Sequence, residues 1–288
     1  MEHPSPWGRD ILDGTAFGTE LTSRLKDRLA AAGVRLMLVR RPGRVTISDG
    51  GRALYLAQSH PEHTRCVEMT VDSPWDLLDI DLSVAAPGPR AGAPDPPPPV
   101  GRTVTDPVTL VCAHGRRDRC CALDGRPIAA ALAGDGDGDI WECSHTGGHR
   151  FAPSMIVLPT GYSYGRVTID EARAAVDAIR AGKLSPDGLR GRTCWDSESQ
   201  VAEMAVRERL TADGEAPALN ALTVSALGQR QGPGQSKTPG QGERLVSHAD
   251  GRQWRVTTRS ETLAPRAASC GAAPKPVATA QVTDVTRV

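Results

Sequence analysis

Two cysteines and two histidines in the middle of the chain are the residues best able to do chemistry. Cys112 and Cys121 are separated by eight residues, and His145 and His149 bound the run His145-Thr146-Gly147-Gly148-His149. Two thiolates and two imidazoles make a complete four-ligand set for a metal centre. Zinc often takes such a set, but its finger-type cysteine pairs usually lie only two to four residues apart. A two-iron cluster is wider than a single ion, so its cysteine pair can sit on a longer loop, and mixed Cys/His ligation of two irons has a precedent in Rieske centres. Gly147 and Gly148 let the backbone turn with positive φ and pass close to an inorganic sulfide, where their N–H groups can donate to the sulfur.

These residues sit in a longer pattern. The stretches Cys112-Ala-His-Gly-Arg-Arg-Asp-Arg-Cys-Cys121, Trp141-Glu142-Cys143-Ser144-His145 through Ala152, Leu158-Pro159-Thr160-Gly161 and Tyr164-Gly165-Arg166 resemble the sucrase/ferredoxin-like family. The strong resemblance covers about a quarter of the chain, with looser texture at Gly191-Arg192-Thr193-Cys194 and around Trp254. It implies a thioredoxin-like ferredoxin in which two histidines replace the usual second cysteine pair and a 2Fe–2S cluster is held by Cys112, Cys121, His145 and His149. It therefore implies an electron-transfer protein with unidentified donor and acceptor proteins. Two thiolates and two neutral imidazoles leave an oxidised 2Fe–2S cluster without net charge, whereas four thiolates leave it doubly negative. The neutral site takes an electron more readily, in the direction seen from plant-type ferredoxins (about −400 mV) to Rieske centres (roughly −150 to +300 mV). Each ligating imidazole keeps an outer nitrogen, so electron transfer can be coupled to proton transfer.

Several neighbours compete with these ligands or support them. Cys120 adjoins Cys121 and would give a spacing of seven; the family pattern favours Cys121. His114 lies in the cysteine loop and is assigned a supporting or solvent-exposed role. Cys143 precedes His145 by two residues, so strand alternation turns it toward the core, and Cys66, Cys194 and Cys270 read as structural or free thiols. Arg150 and Arg166 flank the site and can steer an acidic redox partner, or else form surface ion pairs. The run Asp135-Gly-Asp-Gly-Asp139 resembles the start of a calcium loop but has Ile140 where Gly is needed and Thr146 where Glu is needed. A glycoside hydrolase needs two carboxylates across a sugar cleft, and an aromatic content of 3% leaves few rings for stacking on sugars. The rival readings are a zinc-stabilised binding module and, behind it, a thiol redox enzyme or hydrolase. Vicinal cysteines lack the Cys-x-x-Cys spacing of a thioredoxin site.

Composition sets the frame. The chain of 288 residues with 39% hydrophobic content is long enough for one large or two ordinary domains with a real core. Lys plus Arg equals Asp plus Glu at 34 each, so no overall field recruits nucleic acid or an anionic membrane. No signal peptide or membrane span is apparent, and seven scattered cysteines do not read as a disulfide framework. A cytoplasmic location is the expectation; composition does not fix the oligomeric state.

The elements that must position the ligands follow from periodicity. Residues 1–83 read as an α+β segment. Its helix runs over 19–32, with Leu21, Leu25 and Leu29 on one stripe, Thr19 as N-cap and Gly33 past the end. Strand candidates follow at Val34–Val39, Val45 and Ile47, Leu54 and Leu56, Val67–Val71, and Leu78–Leu82. Residues 84–101 are a Pro/Gly/Ala-rich linker. Residues 102–185 form the thioredoxin-like ferredoxin domain: a strand over Val108–Val111 ending at Cys112, a helix to Leu132, strands at Ile140–Cys143, Ser154–Leu158 and Tyr164–Ile169, and a helix capped by Asp170. Both ligand pairs then follow strand ends, where loops on a rigid sheet converge. Residues 186–288 form a C-terminal α+β segment, with a helix over 198–210, four strands and a mobile Gly/Pro/Gln loop at 228–242. The fold class is α+β, with an α/β-like core.

Overall fold

The computed structural model describes residues 1–4, 6–43, 50–87, 100–136, 138–227, 241–267 and 272–288, with the side chains of residues 149 and 241 left aside. Residues 88–99 of the expected linker, 228–240 of the expected loop, and Val45 and Ile47 lie outside the described residues.

Helix α1 (Gly18–Ala32) buries Leu21, Leu25 and Leu29 and ends at Gly33, whose φ of 65° lets its N–H reach the carbonyls of Leu29 and Ala30. Its N-cap position is Phe17, because the helix starts one residue before Thr19 and Gly18 N–H is already bonded to Gly14 O at 2.9 Å. Only Val39–Arg40 (β1) of the apolar run 34–39 is a strand. Strands β2 (Arg52–Gln58), β3 (Arg65–Val71) and β4 (Arg102–Thr103) form a three-stranded antiparallel sheet. Leu54, Leu56, Val67 and Val71 pack with the α1 stripe in one core. The alternation over Leu78–Leu82 is not a strand. Ser73 and Asp76 form a capping box with Pro74 at the first position, which winds Pro74–Leu78 into a 3-10 turn, and a second turn follows at Leu82–Val84. The spacing still buries Leu77, Leu82 and Val84 against α1.

The six-stranded sheet that carries the site has the order β1-β6-β5-β7-β8-β9. Its members are β5 (Val108–Cys112), β6 (Asp139–Cys143), β7 (Ser154–Leu158), β8 (Tyr162–Gly165) and β9 (Leu189–Arg192), with α2 (Arg119–Gly134) between β5 and β6 and α3 (Ile169–Arg180) after β8. Strands β5 and β6 are parallel, as a helical crossover requires, and the other pairs are antiparallel. The order β6-β5-β7-β8 matches the strand, helix, strand, strand, strand, helix sequence expected of a thioredoxin-like core. Strand β5 is apolar on both faces because both are covered. Val111 packs with Ile128 and Leu132 of α2 and Ala175 and Ile179 of α3, while Val108, Leu110 and Cys112 pack with Cys66 and Trp141 on the other side. The cap of α3 is Thr168, in a capping box with Glu171; Asp170 occupies the first turn.

After β9 the chain forms α4 (Ser197–Ala212) and a four-stranded antiparallel sheet of β10 (Leu222–Ala226), β11 (Gln241–His248), β12 (Gln253–Ala267) and β13 (Pro274–Arg287). Val206, Leu210, Leu222, Val246, Trp254 and Val256 form its core. A buried charged group joins it to the six-stranded sheet: Glu203 of α4 accepts from Tyr162 Oη at 2.5 Å, Trp195 Nε1 at 3.0 Å and Arg207 Nε at 3.1 Å, with Arg192 Nε at 3.8 Å. Arg192 also donates to the carbonyls of Ser59, Thr160 and Leu219, so one guanidinium touches all three parts of the chain.

Candidate metal centre

The parallel register pairs Cys112 with Cys143, so β5 and β6 end level and release their loops side by side. Cys112 is the last residue of β5 and is fully buried. Two residues of helix precede Cys121 in α2, where Asp118 caps the helix and accepts from Cys120 N–H at 3.0 Å. The Cys121 sulfur thus sits in the first turn of α2, at the positive end of a helix dipole that stabilises the negative charge of the Cys112–Cys121 pair. Gly125, one turn on, is what lets α2 approach: a Cβ there would lie 2.1 Å from Cys112 O.

His145 follows β6 and is held at both backbone groups. Its N–H donates to His114 Nδ1 at 3.2 Å, and its carbonyl accepts from Arg35 Nη2 at 2.5 Å. The donor atoms of Cys112, Cys121 and His145 lie within 4.8 Å of one another, the one such group of three among the described residues. Beyond His145, Thr146 Oγ1 bonds Ser154 Oγ at 2.8 Å, and Gly147 and Gly148 take φ of 99° and 66°, which turns the chain into the 3-10 helix His149–Phe151. His149 thus follows directly on the glycine turn, and its side chain lies outside the described residues.

The Cys112 thiol is pulled well below its ordinary value, first by the Cys121 thiol donating to it and then, against burial, by His145 and the N–H groups of Thr146 and His114. The Cys121 thiol is pushed up, chiefly because Cys112 takes its hydrogen bond. Two buried sulfurs thus share a proton, and a metal that binds both displaces it. Cys143 is pushed well above its ordinary value by complete burial and faces the core. Cys120 is disulfide-bonded and is not in the donor group.

His114 is not solvent-exposed. It is 2% exposed, its Nε2–H donates to Gly8 O at 2.7 Å, and its Nδ1 accepts from His145 N–H, a pattern that selects the neutral Nε2–H tautomer. Trp7 packs edge-on to the ring at 5.7 Å, and burial lowers the His114 pKa. His114, Trp7, Gly8 and Arg35 thus set the position of the His145 loop. Nothing local in the sequence marks Trp7 or Arg35 for this, since both are more than a hundred residues away from that loop.

Arg150 and Arg166 both lie at the Phe151 ring, with guanidinium carbons 4.7 and 5.6 Å from its centroid, and Arg190, absent from the sequence reading, stacks at 3.4 Å. None of the three has a carboxylate within ion-pair distance among the described residues. Among the described residues, the carboxylates of the calcium and hydrolase readings are taken up by arginines instead: Asp135 by Arg173 at 2.7 Å, Asp139 by Arg41 at 2.5 Å and Glu142 by Arg40 at 2.7 Å, while Asp137 lies outside the described residues.

Fold and site together define an α+β protein with a buried cysteine–histidine donor group at the ends of two parallel strands. The chain belongs to the sucrase/ferredoxin-like family, whose model matches residues 3–191 and so takes in the N-terminal segment and β9 as well as the ligand loops. Over 99 residues it is 31% identical to altered inheritance of mitochondria protein 32 of Meyerozyma guilliermondii, an alignment that covers 31% of this chain and about a third (35%) of that protein's length. No solved structure matches the chain. No helix among the described residues is long and apolar enough to cross a membrane.

Proposed function

We propose that the chain is a one-electron carrier in which Cys112, Cys121, His145 and His149 hold a 2Fe–2S cluster. The observation that carries this reading is the convergence of the Cys112, Cys121 and His145 donor atoms within 4.8 Å; His149 is added from the spacing of the histidine pair. The donor set fits: two soft sulfurs that share one displaceable proton beside an imidazole suit iron–sulfur or zinc ligation, and the spacing of the pairs favours the former. When bound, the cluster supplies reversible one-electron chemistry.

The residues of the chain do the rest. Cys112 and Cys121 bind through buried sulfurs, so water is excluded from the thiolate side. The amides of His114 and Thr146 donate to the Cys112 sulfur, and such hydrogen bonds favour the more electron-rich state. His114 orients the loop from which His145 projects. His145 also lines a cavity of about 430 Å³ with Arg35, Lys26 and Arg117, which would offer a route for proton exchange at the His145 ring. This reading places the protein in the cytosol, between an electron donor and an acceptor.

Anaerobically purified protein should be red-brown, with about two irons and two acid-labile sulfides per chain. One zinc and no labile sulfide would end the proposal and leave the zinc-stabilised binding module in its place.

A further inference from the structure

Arginines that surround an aromatic ring normally find a carboxylate nearby, yet Arg150, Arg166 and Arg190 bring three positive charges to Phe151 with no such partner among the described residues. The arrangement is tightly determined. Arg166 holds a φ of 60°, the one non-glycine residue described with positive φ, with its N–H shared between Phe151 O at 2.9 Å and Pro153 O at 2.7 Å and its Nε on Arg150 O at 3.1 Å. Gly165 allows Phe151 and Arg190 to close in, since a Cβ there would lie within about 3.0 Å of both. Strain of this kind persists where surrounding structure fixes it, and it clusters at ligand sites.

Arg150 and Arg190 also line one end of a cavity of about 1010 Å³ between β9, α4 and β13. Its walls are apolar, with Leu184, Leu189, Val201 and Met204 among them, and Lys183 adds a further cation. Two carboxylates line it as well. Glu215 is held by Arg252 at 2.6 Å, and Glu208 lies two helical turns along α4 from Gln200, the residue that packs on Gly191 beside Arg190. The arginine end therefore keeps its charge.

We propose that this cavity is a binding site for a small organic anion, with Arg150 and Arg190 taking its carboxylate, sulfonate or phosphate and the Leu184–Met204 wall taking a ring or short chain. Charge complementarity selects the anion, and an apolar cavity of drug-ligand size selects a molecule with an apolar body over a bare inorganic ion. Arg166 acts by positioning Phe151 and Arg150. The site does not depend on what the metal centre holds, although Arg150 directly follows His149 and a bound ligand would lie beside it.

The probe is 1-anilinonaphthalene-8-sulfonate, titrated by fluorescence against the full purified chain, with unchanged near-ultraviolet circular dichroism required of every variant. Wild type should bind it, and N-phenyl-1-naphthylamine, which lacks the sulfonate, should bind at least about tenfold more weakly. Arg190→Gln should lose about tenfold in affinity, Met204→Trp should lose a similar factor by filling the apolar wall, and Arg255→Gln on exposed β12 should lose nothing. Affinity that ignores either Arg190→Gln or Met204→Trp would overturn the assignment. So would binding that is competed by polyglutamate and indifferent to Met204→Trp, which would make the arginines a docking patch for an acidic protein.

Discussion

At the Cys112 sulfur four donors meet: the Cys121 thiol, His145 and the backbone N–H groups of Thr146 and His114. The charge of this sulfur is therefore set by the loops around it, and removing a ligand should be far more damaging than removing a neighbour. Cys112→Ala, Cys121→Ala, His145→Ala and His149→Ala should each abolish or grossly alter the metal-centre spectrum, while Cys120→Ala should retain it. A bleached Cys120→Ala beside an intact Cys121→Ala would reverse the assignment of the two. His114→Ala keeps all four ligands but frees the His145 N–H, so its centre should assemble and be lost faster on dilution into chelator. The histidines make a second prediction. If both imidazoles ligate the proposed cluster, oxidation would loosen their outer N–H protons, so over an alkaline window the reduced protein should keep a proton that the oxidised protein has released. The midpoint potential should then fall by about 59 mV per pH unit within that window. His149→Cys removes one such ring and adds a negative charge, so it should lower the potential and flatten the slope. Voltammetry from about pH 6 to 11 decides this, and a flat wild-type trace would exclude imidazole ligation with accessible outer nitrogens.

At the scale of elements, the site depends on how closely α2 lies against the end of β5. The capped N-terminus of α2 presents Cys121, and Gly125 is the contact point with Cys112 O. Gly125→Ala puts a Cβ 2.1 Å from that backbone oxygen, which side-chain rotation cannot relieve, so the helix must lift and carry Cys121 away from Cys112. We expect a loss of about 1–3 kcal/mol, the usual cost of overpacking, together with a fall in metal content per chain. Gly134→Ala at the far end of the same helix has open space around it and should be neutral or stabilising by up to about 1 kcal/mol. Equal Tm and equal metal loading in the two variants would show that the approach of α2 does not set the site.

At the scale of the molecule, parts that are distant in sequence complete one sheet and one site. Strand β1 from the N-terminal segment pairs with β6, strand β9 pairs with β8, Gly8 O accepts from His114, and Arg35 reaches the His145 loop. The C-terminal unit is attached through Glu203, which is 0% exposed and faces Arg192, itself 0% exposed, and Arg207. A buried carboxylate between two guanidiniums is costly to neutralise, because the arginines lose their counter-charge and stay desolvated. Glu203→Gln should cost about 3–5 kcal/mol in denaturant unfolding. Arg209→Gln, which breaks an exposed pair with Asp213, should change stability by less than about 1 kcal/mol. If Glu203→Gln unfolds like wild type, the buried network does not hold the C-terminal unit in place.

Local chemistry was enough to show the donor types, their spacing, the glycine turn between the histidines and most of the elements that carry them. The α1 and α3 stripes and the continuous apolar strand β5 follow from periodicity, because each such pattern buries its apolar face in only one way. The alternation at Leu78–Leu82 misled because Pro74 and the Ser73–Asp76 capping box, local signals themselves, outweigh a period-two pattern in so short a stretch. Tertiary structure alone decided the rest. His114 is buried only because Gly8 and Trp7 come back across more than a hundred residues to cover it. Arg190 joins Arg150 and Arg166 only because β9 pairs with β8 and brings position 190 against Phe151. The sequence determines which atoms can bind and which faces must be buried; which distant loops meet at the ends of β5 and β6 is settled by register and packing, where long-range contacts compete and local patterns carry no information.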